Sequence, residues 1–384
     1  MKLLIIAKNI DKGAAGIIYE KFIHEMLKYE SYQIDVLSNH ELLDFEKVNN
    51  IYVVPNQKEF DQRVSKLFVM AFRYNTNGIN WLNKARKYAN MNLRNNYQWI
   101  ISFVNGGEES VAHLGQYVAK LNKCKHYIHM VDPIPPTKGW ETYDLFRRNL
   151  LFGIKKPLEN CDIFSLSNPA MSEYQAKLLN LENYFTVHNP VYSSELIHVS
   201  KTGNNSTFNY VYLGTMVTGP RNPYKLFKAF EELIKKHPNC QLLMYGNHKR
   251  LDKSQIPESI VDKVKIEDFT SDTFKVIQNT DCFIDMDADL SEDVFISSKL
   301  QMYLSYNRPI LSITGLNSPT SNLLNEMDKS CVISSFDLKD IEESLIAVRE
   351  LKVDEDFINE RNLFLKRHTA RIQVQKIISK LSSF

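Results

Sequence analysis

The chain has 384 residues, of which 43% are hydrophobic and 24% charged, and a formal net charge of +2. A length beyond the roughly 250–300 residues at which a single core stops growing predicts two domains, and the composition excludes a disordered chain. The near-neutral balance and the lack of a nucleic-acid motif argue against a nucleic-acid binder. No apolar run approaches 18 residues, so any membrane contact is expected to be peripheral.

The chain opens on Lys2–Ala7, too short for a secretory apolar region, which reads as a buried strand. Further strands are predicted at Gln33–Leu37, Ile51–Val54, Trp99–Phe103, His126–Met130, Ile163–Leu166 and Tyr184–Val187, with helical patterns between them. The polar stretch Ser200–Thr207 reads as a linker, after which the pattern restarts. The second series is Tyr210–Leu213, Gln241–Tyr245, Val264–Glu267, Cys282–Met286, Pro309–Ile313 and Ser330–Ile333. Two strand–helix series predict an α/β protein of two Rossmann-like, doubly wound parallel-sheet domains, 1–195 and 208–355, facing a central cleft where ligands bind. A last long helix, about Glu355–Ser382, is expected to pack back on the first domain through residues 360–384. The five cysteines are scattered with no Cys-x-x-Cys pair, which argues against a disulfide framework or zinc site and for core thiols in a reducing cytosol.

Several connections carry residue types suited to chemistry. After the first strand, Gly13 and Gly16 precede a helix whose N-terminus favours anions; a purely structural turn explains them equally well. Asp132 follows the fifth strand, where a carboxylate can orient a hydroxyl or act as a base; capping the turn beside Pro133 is the alternative. His129 reads as a cleft residue or as a core histidine. In the second series Arg221 lies in a strand-to-helix connection where a guanidinium can clamp a diphosphate, or can simply be solvated. An acidic stretch, Asp285 to Asp293, leads to Ser297, Ser298 and Lys299, where a serine N-cap leaves amides free for a phosphate. The acidic spacing is not that of a calcium loop, and no metal is expected. Between Arg63 and Arg94 seven basic residues and no acidic ones are interleaved with Leu67, Phe68, Phe72, Trp81, Leu82 and Tyr88, which suits an anionic membrane or an ordinary solvated face.

Taken together, VYLGTMVTGPRNPYKLFKAFEEL at 211–233, CQLLMYGN at 240–247 and SKLQMYLSYNRPIL at 298–311 resemble the glycosyltransferases of family 4, which have the two-Rossmann GT-B fold. The first domain resembles them more loosely, through its glycine loop, Asp132-Pro133, CDIFSLSNPAMSEY at 161–174 and VHNPV at 187–191. The resemblance implies retaining transfer of a sugar from a nucleoside-diphosphate sugar to a glycan or lipid-linked acceptor, with no cofactor and no obligatory metal. It assigns donor binding to Gly214, Arg221, Gly246, Asn247, Phe269, Thr270, Asp293, Ser297, Ser298 and Lys299. The acceptor goes to Gly13 and Gly16, and catalysis to Asp132 and then His129. The family's ribose-binding glutamate falls at Met302, which cannot accept hydrogen bonds as a carboxylate does, and its partner falls at Val294. The expected protein is a cytoplasmic, membrane-peripheral enzyme of bacterial surface polysaccharide or glycoconjugate synthesis. A nucleotide-sugar epimerase, a sugar phosphorylase and an inactive partner subunit are the alternatives.

Overall fold

The computed structural model describes residues 1–42, 45–58, 67, 71, 78–140, 144–202, 206–214, 220–247, 251–268, 270 and 272–384. The chain divides into two units, Met1–Pro190 with Ala370–Phe384, and Val191–Thr369.

In the first unit the strands are β1 (Lys2–Ala7), β2 (Gln33–Ser38), β3 (Asn50–Val53), β4 (Trp99–Val104), β5 (Lys125–Met130), β6 (Ile163–Leu166) and β7 (Tyr184–Thr186). They form one sheet in the order β3-β2-β1-β4-β5-β6-β7, and every pairing is parallel. The helices are α1 (Gly13–Met26), α2 (Ile79–Asn92), α3 (Glu109–Asn122), α4 (Asp144–Glu159) and α5 (Pro169–Leu179). Every residue of β4 is buried, as expected for a strand covered on both faces. Local signals set the helix ends: Asn168 accepts from the Met171 amide at 2.9 Å and Pro169 occupies the first turn of α5.

The second unit repeats the plan. Its strands are β8 (Phe208–Leu213), β9 (Cys240–Tyr245), β10 (Val264–Glu267), β11 (Cys282–Met286), β12 (Ile310–Ile313) and β13 (Cys331–Ser334), in the order β10-β9-β8-β11-β12-β13. Its helices are α6 (Tyr224–Lys236), α7 (Thr273–Gln278), α8 (Ser298–Tyr303), α9 (Pro319–Leu324), α10 (Leu338–Glu350) and α11 (Glu355–Arg367). In both sheets the strand order reverses beside the first strand, between β1 and β4 and between β8 and β11. Such a switch point opens a crevice at the strand carboxyl ends.

Two features of the chain path differ from the sequence pattern. Residues 191–199 pack on the second unit, with Val191, Leu196 and Val199 in its core and the Leu196 amide bound to Asn362. The predicted terminal helix is two helices, α11 and α12 (Ala370–Ser382), separated at His368 and Thr369. Phe357, Phe364 and Leu365 of α11 enter the second core, whereas Val374, Ile377 and Leu381 of α12 enter the first. All five cysteines are free thiols, four of them buried.

Candidate functional site

The switch point of the second unit gathers charged groups. The backbone leaves β8 at Gly214, with φ +136°, and leaves β9 at Gly246, with φ +147°. A Cβ on Gly246 would lie 2.1 Å from the Gly214 carbonyl oxygen, and one on Gly214 would lie 2.7 Å from Cδ and Nζ of Lys299. Lys299, in the first turn of α8, therefore lies directly over Gly214. Its Nζ donates to the Tyr212 hydroxyl at 3.0 Å and stands 4.8 Å from the centre of that ring. Tyr303, one turn further along α8, holds the end of β8: its hydroxyl accepts from the Leu213 amide at 2.8 Å and donates to the Leu213 carbonyl.

Arg221 approaches from the β8–α6 connection, which the Asp289 amide ties to β11's trailing loop through the Pro220 carbonyl at 2.8 Å. Lys299 and Arg221 both exert their charge on Asp285, which is fully buried on β11. Burial raises the proton affinity of Asp285, and the two cations oppose that rise. Ser297 precedes α8 but makes no side-chain cap; it lies near Asp285 and opposes the rise in that carboxyl's proton affinity. The helix start at exposed Ser298 thus lacks the serine cap read from the sequence. A cavity of about 530 Å³ adjoins Gly246, bounded also by Leu251, Ile266 and Glu267.

Of the other residues singled out in this half, Asn247 is exposed next to Gly246. The Thr270 hydroxyl accepts from the Asp272 amide ahead of α7, and Phe269 lies outside the described residues. Asp293 is partly buried and contributes negative charge at Asp287. Met302 packs at the edge of the apolar core, beside buried Gln301.

The first unit's switch point is polar. The β1–α1 connection places Asn9, Asp11 and Gly13 at φ +54°, +68° and +68°, a run that non-glycine residues rarely adopt. Gly16 lets this loop fold onto α1, because a Cβ there would sit 1.9 Å from the Asn9 carbonyl oxygen. Its smallness serves the loop's own packing; Gly13 faces open space. Asn9 Nδ2 donates to Glu108 Oε1 at 2.8 Å, while Asn9 and Asn39 exchange two hydrogen bonds of 2.8 and 2.9 Å. His40 bridges Asn39 and Asp11. Glu108 and Asp132 both bear on the buried Tyr19 hydroxyl, whose proton affinity is raised first by burial and then by these two carboxylates. Burial also raises Glu108, against Lys8 and Asn9.

His129 is a core residue. It has no exposed surface, its Nδ1 meets Ser165 Oγ at 2.9 Å, and the rings of Phe22 and Phe103 stand edge-on at 5.4 and 5.8 Å. Burial depresses its pKa to about 3, so of its two readings the structure supports the core histidine. Asn9, Asn39, His40 and Glu108 carried no sequence signal, because they come from three different strand ends. In the basic segment, Trp81 and Leu82 are buried in the unit's core, while Lys84, Lys87 and Arg94 are solvated; Arg63, Lys66, Phe68, Phe72 and Arg73 lie outside the described residues. Among the described residues no helix is long and apolar enough to cross a membrane, and no group of three or more His, Cys, Asp or Glu side chains is gathered as a metal centre.

No family model and no curated protein matches the sequence. Solved structures match over the whole chain. Anabaena HepE, crystallised with UDP and glucose, is 13% identical with a TM-score of 0.67, covering 100% of both chains. S. aureus TarM, solved with fondaparinux, α-GlcNAc-glycerol and UDP, is 11% identical with a TM-score of 0.63, covering 99% of each. A putative UDP-N-acetylglucosamine 2-epimerase from Listeria monocytogenes is 9% identical with a TM-score of 0.58, covering 100% of this chain and 96% of its own. At such identities the likeness establishes the fold: two doubly wound units of the GT-B type.

Proposed function

We propose that this chain transfers a sugar from a nucleoside-diphosphate sugar to a glycan or lipid-linked acceptor. The observation that carries the reading is the placement of Lys299 and Arg221 around one buried carboxylate at the β8–β11 switch point, with Lys299 laid over Gly214. Two cations offset by one carboxylate leave a net positive charge where the backbone approaches closely, which suits the two phosphates of a donor. In the proposed arrangement the diphosphate lies between Lys299, Arg221 and the exposed start of α8 at Ser298. The nucleoside enters the cavity beside Gly246. Charge that develops on the leaving diphosphate is stabilised by the same two cations, of which Lys299 is held in advance by Tyr212. The UDP bound to HepE and to TarM supports this choice of ligand class.

The acceptor is assigned to the first unit. Asn9, Glu108 and Asp132 offer donors and acceptors to a hydroxyl, and Asp132, partly exposed, is the group placed to orient or deprotonate it. His129, enclosed in the core, has no place in this step. Retention of anomeric configuration, independence from metal, and a cytoplasmic, membrane-peripheral setting belong to the same proposal and rest on the family resemblance.

Replacing Arg221 with Ala tests the central assignment. Turnover of the donor is expected to fall by about a hundredfold, the loss typical of removing one charge-stabilising donor; a change of only a few-fold removes the phosphate role. A second reading is motivated by the 2-epimerase among the structural likenesses. Incubating a nucleotide-sugar panel with and without acceptor separates the two, since an epimerase converts its substrate alone.

A further inference from the structure

The acidic stretch that opens at Asp285 does not behave as a solvated charge run. Asp285 and Asp287 are 0% and 1% exposed. They stand two residues apart at the end of β11 and so project from the same face of the sheet. Each finds a hydroxyl on β12 or just past it: Ser312 Oγ donates to Asp285 at 3.4 Å, and Thr314 Oγ1 donates to Asp287 at 2.6 Å. In each carboxyl the second oxygen, Oδ1, has no hydrogen-bond partner among the described residues.

Every element packed around the pair contributes to its charge balance. Lys299, Tyr303 and Ser297 face it from α8 and its start, and Arg221 from the β8–α6 connection. Thr320 faces it from α9, Cys331 from β13 and Asp293 from the segment before α8. Both cations act on Asp285. After burial, the leading influences on Asp287 are the carboxylates Asp285 and Asp293 and the hydroxyls of Thr314 and Thr320. Two neighbouring carboxylates in a dry interior do not both ionise readily, and the one nearer the cations ionises first. Asp285 is therefore the counter-ion of Lys299 and Arg221, and Asp287 is where the pair keeps a proton.

We infer that Asp285 and Asp287 act as a positioning pair for the two cations, and that binding of a nucleoside diphosphate above neutral pH draws one proton from solvent onto Asp287. The reason is electrostatic. A diphosphate adds negative charge beside Asp285 and takes up the positive charge that had offset it, so the pair's affinity for a proton rises. The Asp287 carboxyl is pushed up to about 7 by burial and then by Asp285, so solvent removes its proton in the range where the effect is measurable. This inference rests on the diphosphate reading of the site.

The test is calorimetric titration of the full chain with UDP, GDP and dTDP at about pH 8, in two buffers of different ionisation enthalpy, which reads protons taken up per nucleotide bound. Expected are an uptake approaching one proton and an affinity that falls by up to about tenfold per pH unit above neutrality. Asp287→Asn is expected to abolish the uptake and, with it, the fall of affinity with pH above neutrality. Thr314→Val, which withdraws the hydroxyl favouring the ionised form, is the second variant and should move the uptake to higher pH. Binding without uptake, or uptake unchanged in Asp287→Asn, overturns the inference and leaves the diphosphate site standing. Absence of binding by all three nucleotides overturns both.

Discussion

Gly214 shows how much of the second-unit site depends on a missing side chain. At φ +136° the position is strained for any L residue, and the space a methyl group would fill is occupied by Lys299. Gly214→Ala is therefore expected to displace the lysine from Tyr212, weaken nucleotide binding by about tenfold, and lower stability by about 1–3 kcal/mol. Calorimetric titration and thermal melting of the same preparation read both; an alanine variant with unchanged affinity would separate Gly214 from the site. Arg221 and Lys299 drew notice in the sequence as a loop guanidinium and a helix-start lysine, whereas Gly214 and Gly246 entered through the family resemblance. The environment of Asp285 and Asp287 was not visible there. Acidic residues are almost always solvated, and nothing in a run of alternating acids distinguishes one that enters the core. His129 was ambiguous for the converse reason: a histidine in a continuous apolar strand faces the core or the cleft according to what packs above it.

Buried charge also decides how one element is held. Arg361 on α11 has no exposed surface. Its Nε donates to Ser330 Oγ at 2.7 Å and its Nη2 to the Ser330 carbonyl at 3.0 Å, with the guanidinium 5.3 Å from the Phe357 ring centre. The helix is further capped by Asp354, which accepts from the Phe357 amide, and has acids in its first turn and bases in its last. Arg361→Ala removes the guanidinium's hydrogen bonds to Ser330 and to the Arg308 carbonyl together with its buried packing, and is expected to cost about 3 kcal/mol in urea unfolding of the second unit. Lysine at this position is expected to recover less than half of the loss, because a single ammonium does not reproduce the planar fork. In the sequence, Arg361 sits between Glu360 and Asn362 and has the appearance of a surface charge. The break between α11 and α12 was equally hidden, since both halves carry the same helical period and differ only in which core receives their apolar faces.

At the scale of the whole chain the buried histidines of the first unit and Asp287 of the second carry opposite pH dependences. In the first unit burial holds His126 and His129 at about 3 and His188 at about 4, against a usual 6.5. The unfolded chain binds these protons more readily, so the stabilisation is complete above about pH 6.5 and drains as pH falls towards 4. In the second unit Asp287 is raised from 3.8 to about 7. Here the folded state keeps the proton longer, so its contribution is full below about pH 4 and is lost as pH rises through 7. Hydrogen exchange read by mass spectrometry on the intact chain should show protection in residues 1–190 falling first on mild acidification. Protection in 191–369 should decline less between about pH 4 and 7 in Asp287→Asn than in the parent. Identical pH profiles for the parent and Asp287→Asn would refute the buried, proton-holding state of that carboxyl.

By itself the sequence determined the alternation of short apolar strands with amphipathic helices and its restart in a second series. Both are local properties, written as uninterrupted apolar runs and 3.6-residue periods, and they suffice to specify two doubly wound sheets. Only the tertiary structure decided which polar side chains meet. Asn9 reaches Glu108 across 99 positions, and Lys299 reaches Tyr212 across 87. Such contacts follow from strand order at the switch points, and strand order is settled by packing over the whole unit, where no local pattern records it.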